Sequence, residues 1–240
     1  VTVELGALRA RLREIARPVV ALHAQRFFKT GPGEYGAGDR FLGIRVPALR
    51  KVARASRDLR ERDVLVLLRS RFHEERLLAL LVLVDQFRRA DVGRQAAIYR
   101  LYVANLDYVN NWDLVDSSAG QIVGAHLAGR SRKPLYRLAR SRDLWRRRVA
   151  IMATFHFIRL KEFADTLAIA DVLLSDREDL IHKAVGWMLR EVGNRDRAIA
   201  ERFLIARQDK MPRTMLRYAI ERFPATRRRA YLAGKAGRCT

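Results

Sequence analysis

The chain has 240 residues, 49% of them hydrophobic and 31% charged, the balance of a folded protein and not of a disordered one. Its 48 Lys and Arg stand against 26 Asp and Glu, a net charge of +22, with only seven of the cations being Lys. An excess of that size on a folded chain points to a polyanionic partner, nucleic acid first of all. Cys239 is the single cysteine, which excludes disulfides and thiolate metal sites. The five histidines (His23, His73, His126, His156, His182) show no ligand spacing, so no metal and no cofactor are expected. No apolar run reaches membrane-spanning length, and the opening "VTVELGALRARLREIARPVV" alternates charge where a signal peptide would have an apolar core. The expected location is the cytoplasm, on the nucleoid.

In chain order, apolar residues at i, i+3 and i+4 predict amphipathic helices in "LGALRARLREIA" (5–16), "RDVLVLLRS" (62–70), "EERLLALLVLVDQF" (74–87) and "RQAAIYRLYVANL" (94–106). The pattern continues in "LWRRRVAIMATFHFI" (144–158), "FADTLAIADVLL" (163–174) and "LIHKAVGWMLREV" (180–192). No hairpin signal interrupts them. The long irregular stretch "KTGPGEYGAGDRFLGIRVP" (29–47) is expected to be a surface loop, Gly-rich over about 29–40, and it holds no phosphate-loop motif. A tail over about 233–240 is expected to be disordered.

The segments starting at Glu75, Asn111, Arg147, His182 and Leu216 follow one another at intervals of 36, 36, 35 and 34 residues. That period, with two helices per unit, predicts an all-α, HEAT-like helical-repeat solenoid with a concave basic groove, one domain over 1–240. Equivalent positions of successive units then lie side by side. The second residues are Arg76, Trp112, Arg148, Lys183 and Arg217; one turn on stand Leu80, Asp116, Met152, Trp187 and Glu221. Such a strip, with four cations, two indoles and two carboxylates, reads as an exposed groove. Arg76, Arg148, Lys183 and Arg217 are its expected phosphate contacts.

Within "YVNNWDLVDSS" (108–118), Asn110 or Asn111 can cap a helix whose first turn holds Asp113. Trp112 and Asp116 then share one face. A carboxylate in a basic groove has two explanations. It pairs with Arg148 or another groove arginine, or it stabilises a cation that forms during a reaction. The second suits cleavage of an N-glycosidic bond, where the sugar gains oxocarbenium character and indole faces add attraction.

"NNWDLVDSSA" (110–119), "LWRRRVAIM" (144–152) and "HKAVGWMLREV" (182–192) resemble the signature segments of the AlkD-type alkylpurine DNA glycosylases, DNA alkylation-repair proteins of the HEAT-like repeat superfamily. "GDRFLGIRVPALRKVAR" (38–54) and "MPRTMLRYAIERFP" (211–224) are similar to that family's end segments, so the resemblance spans nearly the whole chain. It implies Asp116 as the catalytic carboxylate, Trp112 and Trp187 as active-site indoles and Arg148 as the arginine gripping the backbone. A further aromatic from the first helices is Phe27 or Phe28. The implied substrate is duplex DNA carrying purines alkylated at N3 or N7, cut by a monofunctional, monomeric glycosylase in base excision repair. The alternative is a non-catalytic helical-repeat scaffold on duplex DNA or structured RNA, in which Asp116 only pairs with an arginine.

Overall fold

The computed structural model describes residues 4–236. In chain order its α-helices are α1 (Leu5–Glu14), α2 (Pro18–Phe27), α3 (Val46–Ala55), α4 (Glu61–Leu68), α5 (His73–Arg89), α6 (Val92–Ala104), α7 (Trp112–Asp116) and α8 (Ala125–Leu127). They continue as α9 (Lys133–Ala139), α10 (Leu144–Ala153), α11 (Phe155–Arg159), α12 (Ala164–Val172), α13 (Asp179–Gly193), α14 (Arg197–Arg207), α15 (Arg213–Ala219) and α16 (Ala225–Leu232). A π-helical turn, Gly120–Gly124, joins α7 to α8. Among the described residues there is no strand, only an isolated bridge between Arg40 and Phe72. The fold is all-α, as expected, and no described helix is long and apolar enough to cross a membrane.

Every helix expected from apolar spacing is present, and local chemistry marks several starts. Asp91, Asn111, Asp143 and Asp196 each accept a backbone N–H in the first turn of α6, α7, α10 and α14. Proline opens α2, α3 and α9, where a missing N–H costs nothing.

The chain forms two compact units, Val1–Ile122 and Val123–Thr240. In the first, α3, α4, α6 and α7 all pack on α5. The α5 helix is buried on every residue from His73 to Leu80, including four polar side chains, so each of those needs a partner. Glu74 finds its partners in the Gly-rich stretch, accepting the N–H groups of Leu42, Gly43 and Ile44 at 2.9, 2.8 and 3.1 Å. The expected surface loop is therefore only half one. Residues 29–38 are mostly exposed, whereas Phe41 and Ile44 are core residues held down by Glu74. Gly43 makes the turn possible at φ +83°, and a Cβ there would lie 2.0 Å from the Arg17 carbonyl oxygen.

In the second unit α10, α13 and α15 form one row and α9 and α12 another, with α9 on α10 and α12 on α13. Helix pairs stacked in this way share a continuous core, the logic of a helical repeat. Gly186 lets α13 approach α15 closely, since a Cβ there would stand 2.5 Å from both the Met215 carbonyl oxygen and the Tyr218 Cβ. After α16 the chain turns back far enough to bury Ala236. Residues 237–240 of the expected tail lie outside the described residues.

Candidate active site

The α7 helix carries two carboxylates with different surroundings. Asn111, fully buried, settles the choice of cap: its Oδ1 accepts the Trp112 N–H at 2.8 Å, and its Nδ2 donates to Asp39 at 3.2 Å. Asp113 accepts the Leu114 N–H at 2.9 Å on one oxygen and His73 Nε2–H at 2.8 Å on the other. On its far side His73 donates from Nδ1 to Asp39 at 3.0 Å, and Arg76 Nη2 reaches the second Asp39 oxygen at 2.5 Å. Arg76 also donates to the Ser70 carbonyl at 3.0 Å.

This relay of Arg76, Asp39, His73 and Asp113 holds two positive and two negative groups and is nearly closed to water, with His73 2% and Arg76 4% exposed. Burial alone would push His73 down, but the hydrogen bonds and charges of Asp113 and Asp39 outweigh it and push His73 up to about 9. Burial likewise opposes ionisation of Asp39, yet the hydrogen bond from His73 and the Arg76 charge hold its carboxyl below the usual range. The imidazolium thus ties the first turn of α7 to α5 and to the Gly-rich segment. Arg76, expected to be a groove cation, is a buried partner of Asp39 instead. Its guanidinium cannot reach a phosphate without breaking a buried ion pair, so it leaves the set of expected DNA contacts.

Aromatic rings brace the same helix. Phe28 stacks on Trp112, with centroids 5.2 Å apart and planes 18° apart, and continues onto Phe41 at 5.1 Å and His73 at 4.8 Å. Phe27 meets Trp112 edge-on at 5.8 Å and is 57% exposed. Both phenylalanines touch Trp112, in different ways: Phe28 supports its face and Phe27 stands beside it at the surface.

Asp116 ends α7 half-buried, one turn from the half-buried Trp112. The small residues after it have a structural reason. Ser117 and Ser118 donate back to the Leu114 carbonyl at 3.2 and 2.6 Å, and the buried Tyr102 hydroxyl meets Ser118 Oγ at 2.9 Å. Burial pushes the Tyr102 phenol well up, against the pull of the Ser118 hydrogen bond, and the nearby Asp116 charge adds to the rise. The π-helical turn that follows is a feature frequent at functional positions in helices.

In the second unit Trp187 is half-buried on α13, with Phe155 6.4 Å away. Lys183, one turn earlier, pairs with Asp179 at 2.7 Å, and that hydrogen bond is the chief reason the Asp179 carboxyl sits low. Arg217 is exposed on α15. Arg148 is 5% exposed and its Nη1 donates to the Leu180 carbonyl at 2.5 Å, so it holds the start of α13. Leu80 and Met152 are core residues, and Glu221 is paired with Arg190. The ten-residue strip is therefore not uniformly exposed: Arg76, Leu80, Arg148 and Met152 are buried.

The sequence model of the DNA alkylation repair enzyme family matches residues 8–223. The chain belongs to this family. Membership places it among enzymes that act on alkylated DNA, which agrees with the excess of cations. A solved structure of a predicted DNA alkylation repair enzyme from Enterococcus faecalis is similar, with a TM-score of 0.66 over 88% of this chain and 97% of that one, at 15% identity. That likeness speaks for the fold alone. No curated protein matches the chain. Within this DNA alkylation repair fold, the relay through Asp39, His73 and Asp113 escaped the reading of the sequence. The signal for it was "HEER" (73–76), four polar residues leading straight into the apolar run of residues 77–84.

Proposed function

We propose that this member of the DNA alkylation repair enzyme family is a DNA glycosylase that releases cationic N3- and N7-alkylated purines from duplex DNA. One observation carries the reading. The two carboxylates of α7 have different surroundings, Asp113 facing His73 and Asp116 standing half-buried one turn from an indole braced by Phe28. A fixed carboxylate beside a rigid aromatic face suits a transient deoxyribosyl cation. An alkylated purine of this kind is already cationic and leaves as a neutral molecule, so the reaction needs no general acid. Asp116 stabilises the sugar cation as the bond to the base breaks and orients the water that attacks the anomeric carbon, and Trp112 and Trp187 contribute aromatic faces. Lys183 and Arg217 take the phosphate backbone. Arg148 positions α13 instead of serving as an open phosphate clamp. The helix pairs are HEAT-like repeats, and the protein acts as a monomer in the cytoplasm, on the nucleoid, in base excision repair.

The test is release of free base from duplex DNA carrying N7-methylguanine, wild type beside Asp116→Asn. The expected outcome is release by the wild type and a fall of roughly 10²- to 10³-fold in the variant, with duplex binding kept, the size found when one preorganised electrostatic group is lost. Tight binding with no release by either protein would refute the reading and leave a DNA-binding scaffold.

A further inference from the structure

Away from α7, the first unit holds an open cavity of about 330 Å³ whose walls include Arg9, Arg13, Arg69 and Arg71, with Ser70 and Glu75. Four guanidiniums thus face one carboxylate. Glu75 is buried and fully engaged, since Arg9 grips both of its oxygens from Nε and Nη2 at 2.7 to 3.2 Å. That pair cancels itself. Arg69 spends Nε and Nη2 on the Asn105 amide oxygen at 3.1 and 2.9 Å, a neutral acceptor that orients the guanidinium and leaves its charge uncompensated. Arg71 lies over the Phe72 ring, its guanidinium carbon 5.3 Å from the centroid, a contact that steadies it without using an N–H. Arg13 and Arg71 are exposed, and neither has a carboxylate within ion-pair distance among the described residues.

We propose that this cavity is a phosphate-binding site, separate from the candidate catalytic residues. Its surplus of three positive charges, from Arg13, Arg69 and Arg71, matches a phosphate, and the forked donors of arginine suit pairs of phosphate oxygens. The volume admits a phosphate with the sugar attached to it. The ligand is a phosphodiester of DNA or a free phosphate ester; both present the same oxygens. The loop that supplies Arg69, Ser70 and Arg71 also takes part in the relay, because the Ser70 carbonyl accepts from Arg76 and the Arg71 carbonyl accepts the Arg40 N–H.

The test uses the full chain and an Arg13→Gln/Arg71→Gln variant, whose exposed positions leave the fold intact. A control variant, Arg88→Gln/Arg100→Gln, removes the same charge from exposed positions elsewhere in the unit. Thermal melting is followed as inorganic phosphate replaces chloride at constant ionic strength, and duplex affinity is measured against salt. The expected result is a phosphate-dependent rise in Tm for wild type and control that the Arg13/Arg71 variant loses. If the salt slope of duplex binding is also shallower by about one in that variant alone, the phosphate is that of DNA. An unchanged slope with the lost Tm response assigns the site to a free phosphate ester. Equal behaviour of all three proteins in both assays, or equal loss in the control, overturns the proposal. None of these readouts depends on base release, so failure of the glycosylase reading would leave the result standing.

Discussion

The buried relay predicts an unusual dependence of stability on pH. His73 titrates at 6.5 when unfolded and at about 9 when folded, so the folded protein holds a proton that the unfolded chain gives up between those values. A raised pKa of this kind contributes stability that is complete below pH 6.5 and disappears as pH rises through 9. Displacement of that midpoint corresponds to roughly 3 kcal/mol, a large share of the stability of a typical domain. Urea unfolding at constant ionic strength, from pH 5.5 to 10, should show stability falling by that order across the window. His156 leaves the window clear, because burial followed by the charges of Arg159 and Arg132 pushes it below 6.5. Asp113→Asn should lower stability at pH 6 by about 3 kcal/mol, as expected when one partner of a buried ion pair is removed, and should flatten the alkaline fall. A wild-type profile level between pH 6.5 and 9.5 would refute the assignment of a buried imidazolium.

Two further substitutions probe the packing around the site. Gly186→Ala should destabilise by about 1–3 kcal/mol in urea titrations, because its methyl group would have to displace the Met215 carbonyl and Tyr218 on α15. Tyr102→Phe should cost about 1 kcal/mol in the same assay, the net worth of its hydrogen bond to Ser118, whose own donation to the Leu114 carbonyl is unaffected.

What could be read from the sequence follows from how local the signal is. Helix positions rest on spacing within one element, so α5, α6, α10, α12 and α13 emerged where the apolar periodicity put them. The shared face of Trp112 and Asp116, and a cap at Asn110 or Asn111, are equally local. Exposure was not. Matched repeat positions suggested one continuous groove, yet Arg76 and Arg148 are buried because each found a partner distant in sequence, Asp39 for one and the Leu180 carbonyl for the other. The family resemblance narrowed the extra aromatic to Phe27 or Phe28, and their two different places against Trp112 depend on how α2 packs on α7. The relay joins residues from the Gly-rich segment, α5 and α7, and no window of sequence contains all of them.

That relay bears on how a mutational survey of this protein will read. Asp39 fixes Asn111, the cap of α7, and His73, the counter-ion of that helix's first turn. Substitutions at Asp39 should therefore surface among inactivating changes alongside those at Asp116, in a segment that looks like a tolerant linker. Screening for folded protein before scoring repair would separate substitutions that loosen the helix, as at Asp39, from any that act on the reaction itself.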